Sequence, residues 1–172
     1  DYLVVELLYQ TGMRRAELAV LEDKDVDVRG RQIRVFGKRR KERMVPMGEQ
    51  LAIEVQDYLQ VKNEILTGSD GFGTFLVRKK KNGEWVALGA ATLYNIVRAR
   101  MGDVSTLKKH SPHVLRHTFA TTMLNNGADI RTIQTLLGHS SLEATQVYTH
   151  TTFEQVKQVY EAAHPRSKKI KD

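Results

Sequence analysis

Residues 32 to 47 read Gln32-Ile33-Arg34-Val35-Phe36-Gly37-Lys38-Arg39-Arg40-Lys41-Glu42-Arg43-Met44-Val45-Pro46-Met47, and this stretch decides the fold class. Ile33 and Val35 alternate against Gln32 and Arg34, the period of two that makes one face of a strand apolar, and Val45 follows beyond a basic turn. The stretch therefore reads as antiparallel strands joined by a positively charged hairpin tip, Gly37 to Arg43. Most of the rest of the chain carries helical periodicity. The expected architecture is mainly α with a small antiparallel β-sheet, an α+β domain.

Upstream, the apolar run Tyr2-Leu3-Val4-Val5-Glu6-Leu7-Leu8 ends at Thr11-Gly12, where glycine suits a helix C-terminus. A second short helix then carries Arg14, Glu17, Leu18 and Leu21, with Arg14 near its start. Downstream, Leu51, Val55, Tyr58 and Leu59 mark an amphipathic helix. Residues 67–73 are a glycine-rich loop, and Phe75-Leu76-Val77 and Trp85-Val86-Ala87 flank a turn at Lys81-Asn82-Gly83, a second small hairpin. Helices are expected over 91–101, 113–126, 130–137 and 153–163, with a short one from Ser141. Ser111-Pro112 supplies an N-cap and first-turn proline, while Ser140 with Glu143 and Thr151 with Glu154 have capping-box spacing. The tyrosines Tyr58, Tyr94 and Tyr160 fall on apolar stripes and read as core.

The chain has 172 residues, enough for one packed domain, with ordinary globular composition at 41% hydrophobic and 27% charged residues. Lys and Arg outnumber Asp and Glu by 27 to 20, for a net charge of +7, which favours a polyanionic partner such as nucleic acid. No basic amphipathic helix or lipidation motif points to a membrane instead. There is no cysteine, which excludes disulfides, thiolate catalysis and cysteine-ligated zinc, and is compatible with a cytoplasmic location. No signal peptide is visible, and no apolar run approaches the ~20 residues that span a bilayer. The start at Asp1, directly before an apolar helical run, is what a chain cut from a longer one would show.

Four side chains stand out chemically. His113 and Arg116 lie three apart, so both project from one helix face, and Pro112 places His113 in the first turn, where unpaired N–H groups favour an anion such as phosphate. Alone, the pair reads equally well as a capping histidine and a surface arginine. His139 follows Gly138, so its imidazole emerges at a helix end. Tyr148 stands nine residues later, by default a half-buried packing residue and, unaided, a poor nucleophile. His117 follows four after His113, but the segment lacks the glutamate of a metalloprotease helix, and metal is not expected.

Four motifs make the chain resemble the tyrosine recombinases, or phage integrase family, with likeness to bacterial Xer-like and mobile-element integrases. They are Thr11-Gly12-Met13-Arg14-Arg15-Ala16-Glu17-Leu18; Gly37-Lys38 through Lys41-Glu42-Arg43-Met44-Val45-Pro46; His113-Val114-Leu115-Arg116-His117-Thr118-Phe119-Ala120; and Leu136-Leu137-Gly138-His139 followed by Tyr148-Thr149-His150. Their order and spacing over residues 11–150 carry the resemblance.

The resemblance implies a catalytic domain over residues 1–164, a basic mobile tail over 165–172, and an N-terminal core-binding domain that this sequence lacks. It implies breakage and rejoining of double-stranded DNA through a 3′-phosphotyrosyl link formed by Tyr148, with Arg14, Lys38, His113, Arg116 and His139 completing the catalytic set. Lys38 would be the general acid, His113 would exchange the tyrosine proton, and no cofactor or divalent metal is needed. Arg15 and Lys41 are close rivals of Arg14 and Lys38, but the motif register favours the latter pair. Glu17, one turn from Arg14, reads as a partner holding that arginine. Arg39, Arg40, Lys41, Arg43, Lys79 and Lys80 are expected to track the DNA backbone, although the turn at Lys79, Lys80 and Lys81 reads equally well as a solvated one. Helix 153–164 resembles the one such proteins dock onto a neighbouring protomer in a DNA-bound tetramer. Alternatives are a DNA-binding module without strand exchange and nicking and religation of the type IB topoisomerase kind.

Overall fold

A computed structural model of the chain describes residues 1–37, 41–66, 73–102, 111–138 and 150–167, the side chains of 150–152 excepted. Helix α1 (Tyr2–Thr11) places Val4, Leu7 and Leu8 on one buried stripe and ends where Gly12 turns left-handed at φ 61° and donates its N–H to Leu8 O at 3.1 Å. The short α2 (Arg15–Ala19) follows at once, and a 3-10 turn at Asp23–Asp25 leads into the first sheet.

That sheet has three antiparallel strands in the order β1 (Val26–Asp27), β2 (Gln32–Phe36) and β3 (Glu42–Pro46). Register pairs Ile33 with Val45 and Val35 with Arg43, so the period-two reading holds. Its inner face is apolar except at Arg43. Helix α3 (Glu49–Ile65) buries Leu51, Ala52 and Val55. The second sheet pairs β4 (Val77–Lys79) with β5 (Trp85–Ala87); Phe75 and Leu76 precede the strand and enter the core.

The remaining helices are α4 (Ala90–Gly102), α5 (Pro112–Asn125), α6 (Ile130–Leu137) and α7 (His150–Ala163). Helix α1 is central, packed by α3, α4 and α5, with α6 and α7 against α5 and β3. Leu7, Leu8, Leu93, Phe119, Met123 and Tyr160 are fully buried where these elements meet. Tyr58 is partly buried, its hydroxyl donating to Phe75 O at 3.0 Å, and Tyr94 lies under the guanidinium of Arg15. Ser111 and Pro112 open α5 as expected, though Ser111 makes no side-chain cap. Asp129 caps α6, its carboxylate accepting from the Thr132 N–H at 2.9 Å. No helix among the described residues is long and apolar enough to cross a membrane.

Two expectations need correction. Helix α7 begins at His150, so Thr151 lies inside the helix and cannot cap it. The tail expected from residue 165 begins with packed residues. Ser167 is buried, accepts the Glu49 N–H at 3.1 Å and donates its hydroxyl to Glu161 O at 2.7 Å, while Arg166 pairs with buried Glu6. The backbone passes so close to Gly48 that a Cβ there would lie 2.3 Å from Arg166 O. The short helix expected from Ser141, its Ser140–Glu143 cap and residues 168–172 lie outside the described residues.

Candidate active site

Two chain segments, the start of α2 and strand β3, meet on one carboxylate. Arg14 occupies the N-cap of α2 in extended conformation, φ −75° and ψ 146°, so its carbonyl opens the helix while its side chain leaves the helix end. Glu17, one turn on, returns to it: Oε2 accepts the Arg14 N–H at 2.7 Å and Oε1 accepts Nη1 of Arg14 at 2.9 Å. From β3, Arg43 presents a fork to the same carboxylate, Nη1 to Oε1 at 3.1 Å and Nη2 to Oε2 at 2.8 Å. Burial alone would raise the Glu17 pKa, but the Arg43 hydrogen bonds and charge, joined by the backbone and side-chain hydrogen bonds of Arg14, hold it below the usual carboxylate value. Glu17 is therefore an anion with two cationic partners, the holding role expected for it.

Arg116 ties two of the motifs together. It is half-buried on α5, at the border of the core face formed by Pro112, Leu115 and Phe119. Its Nη1 donates to Gly12 O at 2.6 Å and its Nη2 to Leu137 O at 2.7 Å. Gly12 lies two residues before Arg14, and Leu137 two before His139, so one guanidinium fastens the approaches to both. Gly138 caps α6 in left-handed conformation at φ 64°. Burial, then repulsion from Arg14, pushes the Arg116 pKa down to about 10, with Glu17 opposing and Arg43 adding to the fall; it remains a cation at neutral pH.

His113 is exposed in the first turn of α5, on the side of Arg116. The structure thus seats Arg14 and Arg43 on Glu17, holds Arg116 near enough to feel their charges, and sets His113 one turn from Arg116. Lys38, His139 and Tyr148, and with them Arg39 and Arg40, lie outside the described residues. Gly37 at the hairpin base donates its N–H to Lys41 O at 2.8 Å, so β2 and β3 stay paired up to the tip.

Of the residues expected to track DNA, Lys41, Lys79 and Lys80 are exposed; Lys79 lies over the Trp85 ring and Lys80 pairs with Glu84 at 2.9 Å. Arg43 is corrected. It is 5% exposed, and its donors are committed to Glu17 and, through Nε at 2.7 Å, to Leu136 O. Strand parity was the available signal, since Arg43 shares a face with Val45 and sits opposite buried Val35. The carbonyls of Gly12, Leu136 and Leu137 as arginine acceptors had no sequence signal at all.

The fold and site define a class: a mainly helical domain presenting clustered guanidinium groups at converging helix ends. The chain belongs to the phage integrase family, which residues 1–168 match. It is similar to tyrosine recombinase XerC of Pelobacter propionicus, 40% identical over 168 residues that cover 98% of this chain and 53% of the relative. XerC of Myxococcus xanthus is 44% identical over 176 residues, covering 97% and 55%. Among solved structures, XerA recombinase superposes with a TM-score of 0.71 at 35% identity, covering 96% of this chain and 58% of that one. XerH recombinase bound to its difH substrate before cleavage gives 0.66 at 27% identity, covering 92% and 45%. The chain spans about half the length of the relatives it matches.

Proposed function

We propose that this chain carries the chemistry of site-specific DNA recombination, cutting and rejoining double-stranded DNA through a covalent link to Tyr148. The observation that carries the reading is the Arg116 bridge from Gly12 O to Leu137 O, which draws the segment of Arg14 towards the segment that leads to His139. Family membership and the likeness to XerH, solved with its difH substrate before cleavage, support it.

In this reading the Tyr148 oxygen attacks a phosphodiester phosphorus, the bond from phosphorus to the 5′ oxygen breaks, and the phosphate stays on the 3′ side as a phosphotyrosyl ester. Arg14 and Arg116 neutralise charge that builds on the non-bridging oxygens; a guanidinium suits this because it offers planar pairs of charge-assisted donors. Losing one such donor costs about 2.7–4 kcal/mol of transition-state stabilisation. His113 takes the tyrosine proton, Lys38 protonates the departing 5′ oxygen, and His139 donates to a non-bridging oxygen. Attack of that 5′ hydroxyl on phosphorus breaks the bond to the Tyr148 oxygen and reverses the step, and attack by the 5′ hydroxyl of another strand releases Tyr148 in the same way but joins the phosphate to that strand. Because the ester conserves the bond, no nucleotide cofactor is consumed.

Helix α7 packs here on its own chain through Phe153, Val156, Tyr160 and Ala163, with Glu161 paired to Arg31 at 2.8 Å. In a DNA-bound tetramer the same helix would make equivalent contacts on a neighbouring protomer, since identical protomers offer identical acceptors. The chemistry is tested with a nicked duplex carrying the site that the chain selects from a random-sequence pool. A covalent adduct that survives denaturation is expected, and it should vanish in Tyr148→Phe. Equal adduct yield from Tyr148→Phe would refute the assignment of the nucleophile.

A further inference from the structure

Arg43 stands at an inward position of β3, where the neighbouring inward residues Ile33, Val35 and Val45 are apolar. A cation there is costly unless its donors are satisfied. They are satisfied in three directions: Nη1 and Nη2 bind Glu17, and Nε binds Leu136 O. Gly138 lies flat against the guanidinium, since a Cβ on it would be 3.0 Å from Nη1 and 3.1 Å from Cδ of Arg43. Arg43 thereby joins α2, which Arg14 caps, to the end of α6, which leads to His139, and its own strand continues from the hairpin that carries Lys38.

The two oxygens of Glu17 take four contacts, two from Arg14 and two from Arg43. With Arg43 occupying one side, the Arg14 side chain gives Glu17 a single N–H from Nη1, and among the described residues its Nε and Nη2 make no hydrogen bond. The Arg14 side chain is 43% exposed. Without Arg43, a buried carboxylate would face one cation, and the preferred arrangement of such a pair is a two-bond fork. An Arg14 turned fully onto Glu17 has less to offer a phosphate.

We propose that Arg43 is a positioning residue for DNA cleavage: it shares Glu17 with Arg14, so that one edge of Arg14 stays free for phosphate, and it clamps the Leu136–Gly138 turn. This rests on the recombinase reading given above. The test measures single-turnover adduct formation on the selected nicked duplex, together with duplex affinity, for the full chain and for Arg43→Met, Arg43→Lys and Arg43→Met/Glu17→Gln. Arg43→Met should slow the adduct ~10-fold or more, while affinity, spread over many phosphates, changes less than ~3-fold. Arg43→Lys should recover part of the rate. Removing the Glu17 charge as well should make the double variant faster than Arg43→Met, because Arg14 then has no carboxylate to turn onto. A loss of structure alone would make the double variant no faster. Adduct formation by Arg43→Met at the parent rate, or a double variant no faster than Arg43→Met, overturns the proposal. If Arg43→Met does not fold, Arg43→Lys decides: a slower adduct at unchanged affinity supports the role, and a parent rate or a loss matched by lost affinity overturns it. No adduct from the unsubstituted chain would instead refute the cleavage reading itself.

Discussion

Gly12→Ala is expected to be among the most damaging single-methyl additions to this fold. Gly12 sits at φ 61°, and a Cβ built on it would lie 2.6 Å from Phe119 Cδ1 and 2.9 Å from Leu137 Cδ2. Two costs add. Left-handed backbone disfavours an L side chain by about 1–2 kcal/mol, and forcing a methyl into a packed core costs about 1–3 kcal/mol. Neither neighbour can swing clear, since Phe119 is fully buried and Leu137 is 6% exposed. The sum is about 2–5 kcal/mol. Gly127→Ala isolates the first term, because Gly127 has φ 88° but nothing within 4 Å of the added Cβ; it should lose only about 1–2 kcal/mol. Urea unfolding of both variants, with midpoints compared at a common slope, reads the difference. The Gly12 substitution has a second effect: its carbonyl holds Nη1 of Arg116 at 2.6 Å, so relief of the clash by backbone movement displaces that arginine. Equal losses for the two alanine variants would refute the clash argument.

Two further outcomes follow from buried polar groups. His164 is stacked on Tyr160 and 2% exposed; burial is the main cause that lowers its pKa to about 4, with the nearby Arg166 charge adding to it. Between about pH 6.5 and about pH 4 the unfolded chain binds a proton that the folded chain does not, so stability is complete above the upper limit and falls as pH drops, by at most about 3 kcal/mol. The acid-side slope of melting temperature should be shallower in His164→Gln, and an unchanged slope would count against burial as the cause. Lys62 is 4% exposed, pairs with Asp23 at 2.7 Å and donates to the carbonyls of Thr74 and Phe75. Lys62→Met removes the donor those carbonyls share and should cost about 1–3 kcal/mol by urea unfolding; full parental stability would show that packing of the stem is what matters there.

Periodicity made most elements legible. Alternation at Ile33 and Val35 placed the hairpin, and the stripes in α1, α3 and α4 placed those helices, because each signal is local to its element. Arg14 and Glu17 were also legible as partners, being one turn apart. Arg43 was misread because the run of basic residues at the hairpin outweighed strand parity, although parity put it opposite Val35. Lys62 lies seven residues after Val55 on the buried stripe of α3, which hints at burial, but its acceptors come from Asp23 and the segment before β4 and leave no trace in α3 itself. The packed end of the chain was illegible for the same reason. Arg166 and Ser167 are ordinary polar tail residues until the backbone at Gly48 and the carboxylate of Glu6 give them partners.

Net charge favours a polyanionic partner but misplaces the charge. Arg43 and Lys62 are two of the 27 basic residues behind the +7 balance, yet both are spent inside the protein on Glu17 and Asp23. What remains at the site is sparse and concentrated. Arg14 and Arg43 share one carboxylate, Glu17, and Arg116 stands near them on backbone carbonyls, so the cluster carries an excess of positive charge before any ligand arrives, and the lowered pKa of Arg116 registers burial first and that repulsion second. Such a cluster is held together by backbone carbonyls at Gly12, Leu136 and Leu137, which bind guanidinium groups without neutralising them. On the proposed cleavage reading, an anion seated between Arg14 and Arg116 would relieve the repulsion that folding has imposed, and a transition state with more charge on its oxygens would relieve it further. Glu17 sets how far this goes: one carboxylate steadies the arginines, whereas a second would have satisfied them and left little attraction for phosphate.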